Sequence, residues 1–208
     1  MPAAATTRLV LLRHGRSRAD DENVHEGRYD SPLTDVGREQ AARLAAHWTG
    51  NPFGFGRVLH SPLVRAAETA SIVGAALGLA PEPEPLWMEH DNGPLAGLPY
   101  EEASRRYPIP GDRSRWDPLT SEGGESLAAF ERRASQAVEA TLRDRPASIL
   151  VVAHAGILNA AMRMLTGARD TWFAWDDTAF AELVVEWASG DVHIFGVNRA
   201  PHLEDAAT

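Results

Sequence analysis

Residues Arg8–Ser17 read RLVLLRHGRS, and this stretch decides both the fold and the place of the site. Its first half is a short apolar run of the kind found in a buried strand. The run stops abruptly at the polar pair Arg13 and His14. A second apolar run, SILVVA at Ser148–Ala153, stops in the same way before His154. Both patterns predict a buried strand that delivers a basic side chain at its carboxyl end.

Strand and helix patterns alternate along the rest of the chain. The predicted strands are Arg8–Leu12, Arg57–His60, Ser148–Ala153, Ala181–Ala188 and Asp191–Val197. Helices are predicted from Asp35 with Thr34 as N-cap, from Pro62 with Ser61 as N-cap, over Glu125–Arg143 and over Ile157–Leu165, and a loop is predicted over Arg16–Ser31. This alternation predicts an α/β fold, a three-layer sandwich whose mostly parallel central sheet is flanked by helices. We expect one domain over residues 1–208, with 99–124 as an irregular insertion on the substrate side that contains a short helix around Glu101–Tyr107.

The composition excludes several classes of function. The chain has a formal net charge of -9, which disfavours a general nucleic-acid partner. It contains no cysteine, so disulfides, thiolate metal sites and a cysteine nucleophile are all excluded. No apolar run is as long as a membrane span, and the N-terminus lacks the pattern of a secretory signal. We therefore expect a cytoplasmic protein without nucleic-acid or membrane partners.

Four basic side chains are expected to meet at one edge of the sheet. In open α/β sheets, ligands bind beyond the carboxyl ends of the strands. Arg13, His14 and His154 lie at two such ends, and Arg65 lies in the first turn of the helix that follows a third strand. Unpaired N–H groups and the helix dipole favour an anion at that turn. All 20 cationic side chains of the chain are arginine, which can hold a phosphate through two parallel hydrogen bonds.

Two histidines and two arginines around one point suit a phosphate monoester. Phosphoryl transfer needs an in-line nucleophile and donors on the equatorial oxygens. A neutral imidazole can be the nucleophile if a hydrogen bond on its other nitrogen fixes the tautomer, and we assign this role to His14. His154, if protonated, would add positive charge in the transition state. Glu89 is the candidate acid for the leaving oxygen and could then activate water. No metal or other cofactor is required.

Several motifs occur in the order typical of a known family. They are LLRHGRS, HSPLVRAAETA, HDNGPLAG, GGES and VVAHAG, and they lie within a match from about residue 9 to residue 203. Together they resemble the histidine phosphatase superfamily, also called the phosphoglycerate mutase-like family. The resemblance implies that His14 accepts the phosphoryl group and that Glu89 donates a proton. The phosphate pocket that it implies consists of Arg13, Arg65 and His154.

The same resemblance suggests further contacts with the substrate. The set is Ser17, Asp20, Asn23, Gly27 and Gly156. Ser17 stands where the family has a threonine or serine near the phosphate, and Gly27 matches the pattern after RHG. Asp20 stands where members often have asparagine. Because its carboxylate would repel a phosphate, Asn23 is the alternative at this contact. Gly156 belongs to the late HAG motif.

Three functions fit these residues. The first is a phosphatase that hydrolyses a phosphohistidine, the second a bisphosphate-primed phosphoglycerate mutase, and the third a non-catalytic phosphate-binding module. The third is disfavoured because every catalytic position holds a competent side chain. Mutases of this family resemble larger chains with a longer insertion and a lysine on the substrate, whereas this chain has no lysine. HDNGPLAG looks like the mutase form, so the mutase stays as the alternative. The expected partner is a small-molecule phosphate monoester, and a homodimer is left open.

Overall fold

The described part of the chain, residues 4–120 and 122–204 of a computed structural model, forms one six-stranded sheet with helices around it. The strands are β1 Thr6–Arg13, β2 Arg57–His60, β3 Glu82–Pro83, β4 Ser148–Ala153, β5 Phe180–Glu186 and β6 Val192–Arg199. The helices are α1 Arg18–Glu22, α2 Asp35–His47, α3 Val64–Leu77, α4 Tyr100–Arg106, α5 Leu127–Leu142 and α6 Ala155–Thr166. Two short 3-10 turns, Pro85–Trp87 and Gly93–Leu95, lie between β3 and α4. None of the helices described here is long and apolar enough to span a membrane.

Strand β1 lies inside the sheet, whose order is β3-β2-β4-β1-β5-β6. Strands β1, β4, β2 and β3 pair in parallel, whereas β5 pairs antiparallel with β1 and β6 pairs antiparallel with β5. The mostly parallel sheet expected from the sequence is therefore confirmed, and the C-terminal hairpin supplies its antiparallel edge. Parallel strands are covered on both faces, which explains why β4 is buried at every position.

Apolar side chains of the inner strands pack alternately into two cores, one on each face of the sheet. On one face, Leu9 and Leu11 of β1 pack with side chains of β4, α5 and α6. On the other face, Val10 and Leu12 pack with side chains of α2 and α3. A central sheet between two helical layers confirms the three-layer sandwich predicted from the alternating patterns.

The carboxyl ends of β1, β2 and β4 lie side by side. The His14 N–H donates to the Ala153 carbonyl at 3.0 Å, and the Ser61 N–H donates to the Val152 carbonyl at 3.0 Å. These bonds continue the parallel ladders by one residue beyond β1 and β2. The side chains that follow the three strands, including His154 after β4, therefore emerge at one edge of the sheet.

The helix after β2 begins later than the sequence pattern predicts. Its N-cap is Leu63, so the prediction that Pro62 is the first helical residue and Ser61 its cap is wrong. The Ser61 Oγ accepts from the Leu63 N–H at 3.3 Å and lies 2.8 Å from His154 Nε2, so the hydroxyl is used at the sheet edge instead. Arg65 nevertheless lies in the first turn of α3, as expected.

The predicted loop Arg16–Ser31 contains the short helix α1, so that prediction is wrong over Arg18–Glu22. The short helix expected around Glu101–Tyr107 in the insertion is confirmed as α4. The rest of the insertion is held by turns and local pairs. Arg115, for example, pairs with Glu131 of α5. The insertion is therefore joined to α5 at Arg115, by this ion pair and by the Ala128 N–H, which donates to the Arg115 carbonyl at 2.9 Å.

The turn after β1 leaves no room for a side chain at Gly15. A Cβ there would lie 2.5 Å from the carbonyl oxygen of Gly37 in the first turn of α2. We expect Gly15→Ala to lower the free energy of unfolding by about 1–3 kcal/mol, because backbone must move to make space. Chemical denaturation measures this loss. Gly111→Ala is the matched control, since nothing lies within 4 Å of its added Cβ. Equal effects of the two substitutions would contradict the close approach.

Candidate active site

His14 follows β1 and is buried, with 1% of its surface exposed. Its Nδ1 lies 2.7 Å from the Gly15 carbonyl, which can only accept, so Nδ1 carries the proton. The Nε2 atom faces the Nε–H of Arg65 at 3.2 Å and is therefore the nitrogen with the lone pair. Burial, followed by the charges of Arg65 and Arg13, holds the pKa of His14 well below its usual range. The structure therefore presents a neutral imidazole whose nucleophilic atom is Nε2.

Arg65 is fully buried at the second position of α3. Its two Nη groups donate to the carbonyls of Tyr29 at 3.0 Å and Gly27 at 2.8 Å. Gly27 has a left-handed φ of 49°, and its neighbour Asn92 leaves no space for a side chain there. A buried charge is stable only when such partners surround it. The guanidinium therefore fixes the segment that follows α1 against the nucleophile.

Arg13, the last residue of β1, is held from two sides. One Nη group donates to the Trp175 carbonyl at 2.7 Å. The other lies 3.2 Å from Asp177 Oδ1 and 3.5 Å from Asp20 Oδ1. Burial raises the pKa of Asp177, and the charge of Arg13 opposes this rise. These contacts hold the guanidinium near His14, whose pKa it helps to lower.

His154 is the N-cap residue of α6 and is as buried as His14, with 1% exposed. The centroids of the two rings are 5.0 Å apart. The Nε2 of His154 lies 2.8 Å from Ser61 Oγ, whereas its Nδ1 is buried with no hydrogen-bond partner in the described part of the chain. Burial, followed by the charge of Arg65, holds the pKa of His154 well below its usual range, so the ring is neutral. An anionic ligand that brings a proton can satisfy this nitrogen.

Glu89 follows the first 3-10 turn and faces the start of α6. Its Oε2 accepts from the Gly156 N–H at 2.8 Å, and its Oε1 accepts from the His90 N–H at 2.7 Å. A Cβ on Gly156 would collide with this carboxylate, so a larger residue there would have to displace the side chain of Glu89. Arg133 of α5 donates to the Glu89 carbonyl at 3.1 Å. The structure thus brings Glu89 and Gly156 together, two residues beyond the N-cap histidine of α6.

The three residues predicted soon after the nucleophile lie in and around α1. Ser17 is buried and is the N-cap residue, and its N–H donates to Asp20 Oδ2 at 2.8 Å. The other oxygen of Asp20 faces Arg13 at 3.5 Å, so the negative charge is directed at that guanidinium. Asn23 is exposed at the other end of α1, with a left-handed φ of 55°. The structure brings Ser17 and Asp20 to the site and leaves Asn23 outside it.

A carboxylate that the motifs do not single out lies at the centre of the site. Glu26 Oε1 is 3.1 Å from Arg65 Nε and 2.5 Å from Ser17 Oγ. Its Oε2 is 3.8 Å from His14 Nε2. Burial raises the pKa of Glu26, against the charge of Arg65. The only signal in the sequence is its place beside Gly27, because an acidic residue in a polar loop has no signature of its own.

Other supporting residues are distant in sequence from the groups that they hold. Ser61 contacts His154, and Thr69 accepts from the Gly15 N–H. Asp177 pairs with Arg13, and Arg133 donates to the Glu89 carbonyl. Ser61 stands in one of the quoted motifs, where its place before proline indicated a helix cap instead. Thr69 stands in the same motif, where no role was assigned to it. Asp177 and Arg133 are single charged residues in ordinary loop and helix positions, so no local pattern predicts them.

A phosphate-sized anion placed beyond these strand ends would meet two guanidinium groups and two imidazoles, which defines a class of phosphate-binding α/β proteins. The sequence profile of the histidine phosphatase superfamily (branch 1) matches residues 9–198. The chain belongs to this superfamily. The resemblance seen in the motifs is therefore confirmed, together with the phosphoglycerate mutase-like fold.

Curated relatives include proteins named for both activities considered above. A bifunctional protein of Mycobacterium tuberculosis is 33% identical over 169 residues, which are 78% of this chain and 45% of that protein. The chain thus spans about half the length of such relatives. The 2,3-bisphosphoglycerate-dependent phosphoglycerate mutase of Methylobacterium radiotolerans is 33% identical over 171 residues, which are 76% of this chain and 79% of the mutase. Phosphoserine phosphatase 1 of Hydrogenobacter thermophilus is 28% identical over 187 residues, 86% of this chain and 87% of that protein.

Solved structures share the fold over almost the whole chain. YhfR of Bacillus stearothermophilus superposes with a TM-score of 0.82 at 25% sequence identity. The match covers 95% of this chain and 100% of YhfR. The arrangement of sheet and helices described above is therefore shared with this solved structure.

Ser61→Ala removes the hydroxyl that lies 2.8 Å from His154 Nε2. A hydrogen bond to a charged group contributes about 1.5–3 kcal/mol. We expect inorganic phosphate to charge this ring on binding, so Ser61→Ala should bind phosphate about ten- to a hundredfold more weakly. Calorimetric titration with phosphate measures the dissociation constant. Ser135→Ala is the matched control, because it removes a hydroxyl that donates to the Glu131 carbonyl within α5. Unchanged affinity in Ser61→Ala would contradict the role given to this hydroxyl.

Proposed function

We propose that this protein is a metal-independent phosphomonoester hydrolase that forms a phosphohistidine on His14. The observation that carries the proposal is the orientation of the ring, a neutral imidazole whose Nε2 lone pair faces Arg65 at 3.2 Å. The nucleophile must approach phosphorus in line with the leaving oxygen, and a fixed lone pair meets this requirement. The substrate that we propose is a small phosphorylated metabolite.

The proposed reaction consists of two displacements. Nε2 of His14 attacks phosphorus, the bond to the ester oxygen breaks, and Glu89 gives a proton to the departing oxygen. In the second step Glu89 takes a proton from water, the water oxygen attacks phosphorus, and the N–P bond breaks to release inorganic phosphate. The 2.8 Å hydrogen bond from the Gly156 N–H keeps the Glu89 carboxylate in place between the two steps.

The positive groups of the pocket stabilise the transferred phosphoryl group. Arg13 and Arg65 are charged before the substrate arrives, whereas His154 is neutral because burial lowers its pKa. A phosphate dianion raises the pKa of a neighbouring imidazole. The unpartnered Nδ1 of His154 can then donate a hydrogen bond to a phosphoryl oxygen. The His154 ring therefore becomes positively charged only when the substrate binds.

Five further residues are expected to bind the substrate. Gly156 acts indirectly, through the hydrogen bond from its N–H to Glu89 described above. We propose that the backbone of Gly27 contacts the phosphoryl group and that Ser17 borders it, because Asp20 holds both the N–H and the O–H of Ser17. Asp20 acts through its contacts with Arg13 and Ser17, which turn its charge away from the phosphate. Asn23 is exposed, so it could reach only a part of the substrate that lies outside the pocket.

A bisphosphate-primed phosphoglycerate mutase is the second candidate. It is favoured by the 33% identity with the mutase of Methylobacterium radiotolerans and by the HDNGPLAG motif. The phosphatase is favoured by the absence of lysine from the chain and by the short insertion, in which Arg115 pairs with Glu131 instead of facing the site. The 28% identity with a phosphoserine phosphatase over 86% of the chain supports the same choice. A non-catalytic binding module is the third candidate, and the competent His14 and Glu89 disfavour it.

The setting of the enzyme is proposed from the sequence. We propose that it acts as one domain in the cytoplasm, on a small-molecule substrate and without nucleic acid or a cofactor. A homodimer stays open. The acidic balance and the lack of cysteine support this setting.

His14→Ala should lower phosphate release by at least about 10⁴-fold, because no other group can replace the nucleophile. Release is measured from a panel of monoesters that includes 3-phosphoglycerate with a bisphosphate primer, and excess chelator should leave the wild-type rate unchanged. His193→Ala, at an exposed histidine of β6, is the matched control and should keep wild-type turnover. Isomerisation of phosphoglycerate without net phosphate release would instead support the mutase.

Glu89→Gln should slow substrates with poor leaving groups by about 10²–10⁴-fold, because only these need a proton on the departing oxygen. A nitrophenyl phosphate, whose leaving group needs no proton, should be slowed much less. Glu101→Gln, at an exposed carboxylate of α4, is the matched control. Equal losses for alkyl and nitrophenyl esters would count against the acid role of Glu89.

A further inference from the structure

Glu26 is a carboxyl group at the place where the phosphoryl group of a substrate should bind. Its Oε2 is 3.8 Å from the nucleophilic Nε2 of His14, and its Oε1 is 3.1 Å from Arg65 Nε. Reacting atoms approach each other to about 3–3.5 Å, so a phosphorus in line with Nε2 would contact this carboxyl group. A carboxylate and a phosphate dianion this close repel each other unless they share a proton.

The contacts of Ser17 indicate where such a proton lies. Its Oγ is 2.5 Å from Glu26 Oε1 and 2.9 Å from Asp20 Oδ2. A hydroxyl has one hydrogen and can donate to only one of the two carboxyl groups. The second carboxyl group can lie this close to Ser17 Oγ only if it is itself protonated and donates to the hydroxyl oxygen. Asp20 Oδ2 already accepts from the Ser17 N–H, so the Ser17 hydroxyl donates to the same oxygen. Glu26 Oε1 lies 3.1 Å from Arg65 Nε, but the hydrogen on that nitrogen is directed at His14 Nε2, so the proton belongs to Glu26.

Charged and polar groups face Glu26 from three sides. Arg65 lies on α3, and Arg13 and the neutral His14 lie at the end of β1. Ser17 caps α1, which carries Asp20. The ring of the neutral His154 lies next to that of His14. Burial is the largest influence and raises the pKa of Glu26, which Asp20 reinforces and Arg65, Ser17 and Arg13 oppose. A bound phosphate adds a second negative charge and favours the protonated form further.

We propose that Glu26 binds the phosphoryl group of the substrate as a carboxylic acid, so that one proton is shared between the substrate and Glu26. This inference rests on the proposed function and adds a binding residue to the same site. On binding, the acid proton turns from Ser17 Oγ to a phosphoryl oxygen, while Ser17 keeps its hydrogen bond to Asp20. Where free Glu26 is ionised, binding must take up a proton from solvent. The affinity for phosphate therefore falls as the pH rises.

Calorimetric titration with inorganic phosphate tests the shared proton. Titrations at a series of pH values from about 7.5 to 10, where free phosphate is a dianion, in two buffers of different ionisation enthalpy give the number of protons taken up at each pH. Above the pKa of free Glu26, wild type should take up about one proton more than Glu26→Gln, whose amide keeps a donor but cannot titrate. A proton taken up by His154 is common to both proteins and cancels. Glu22→Gln, the same charge change at the exposed end of α1, is the matched control and should keep the wild-type count.

The pH dependence of the dissociation constant is the second readout. Above the pKa of Glu26, wild-type affinity should fall more steeply than that of Glu26→Gln, by up to about tenfold per pH unit. If circular dichroism shows that Glu26→Gln is unfolded, Glu26→Ser, a smaller neutral donor, must give the same lower proton count.

Equal proton counts at every pH of the series, with parallel pH profiles in wild type and the neutral variant, would overturn the proposal and leave Glu26 as a mere partner of Arg65. If these equal counts accompany normal turnover of phosphate esters, only this inference fails. A wild-type protein that binds no phosphate and forms no phosphohistidine would refute the proposed function as well.

Discussion

A fully buried guanidinium, that of Arg65, is the constraint on which the rest of the site depends. A charge that water cannot reach needs oriented acceptors, and the chain supplies the carbonyls of Tyr29 and Gly27 and the Nε2 of His14. The two carbonyls fix the segment after α1, including the left-handed Gly27. The contact with Nε2 aligns the lone pair of the nucleophile. One buried cation thus orders both the wall of the pocket and the reacting atom.

Much of the fold and the basic side chains of the site could be predicted because their signals are local. The apolar runs of β1 and β4 both end at a histidine, and parallel pairing necessarily brings those ends together. Arg65 was placed correctly although Ser61 was misread as a cap, since the helix begins only two residues later than expected. Thr34, in contrast, caps α2 as predicted, because its hydroxyl accepts from the Gly37 N–H at 3.0 Å.

The remaining contacts depend on residues that are far apart in the sequence. Asp20 was expected to repel a phosphate, but the fold turns its charge to Arg13, which the spacing within one loop does not reveal. Glu26 is partly buried because the fold packs it against Arg65 and His14, and this burial raises its pKa while the charge of Arg65 opposes the rise. The site responds to an anion by changing its protonation. Without a ligand it holds neutral histidines and a protonated carboxyl group, and it gains positive charge when an anion enters. Such coupled protons follow from burial, which composition alone does not describe.

The phosphoryl group on the trapped enzyme gives the most direct test of the central claim, because its position names both the residue and the nitrogen that attack. The enzyme is mixed with a labelled monoester, quenched in base, where a phosphohistidine survives, and analysed by phosphorus NMR and by mass spectrometry of its peptides. We predict a phosphoryl group on Nε2 of His14, the nitrogen that faces Arg65 at 3.2 Å. A phosphoryl group on Nδ1 or on His154, or none at all during steady turnover, would contradict this mechanism.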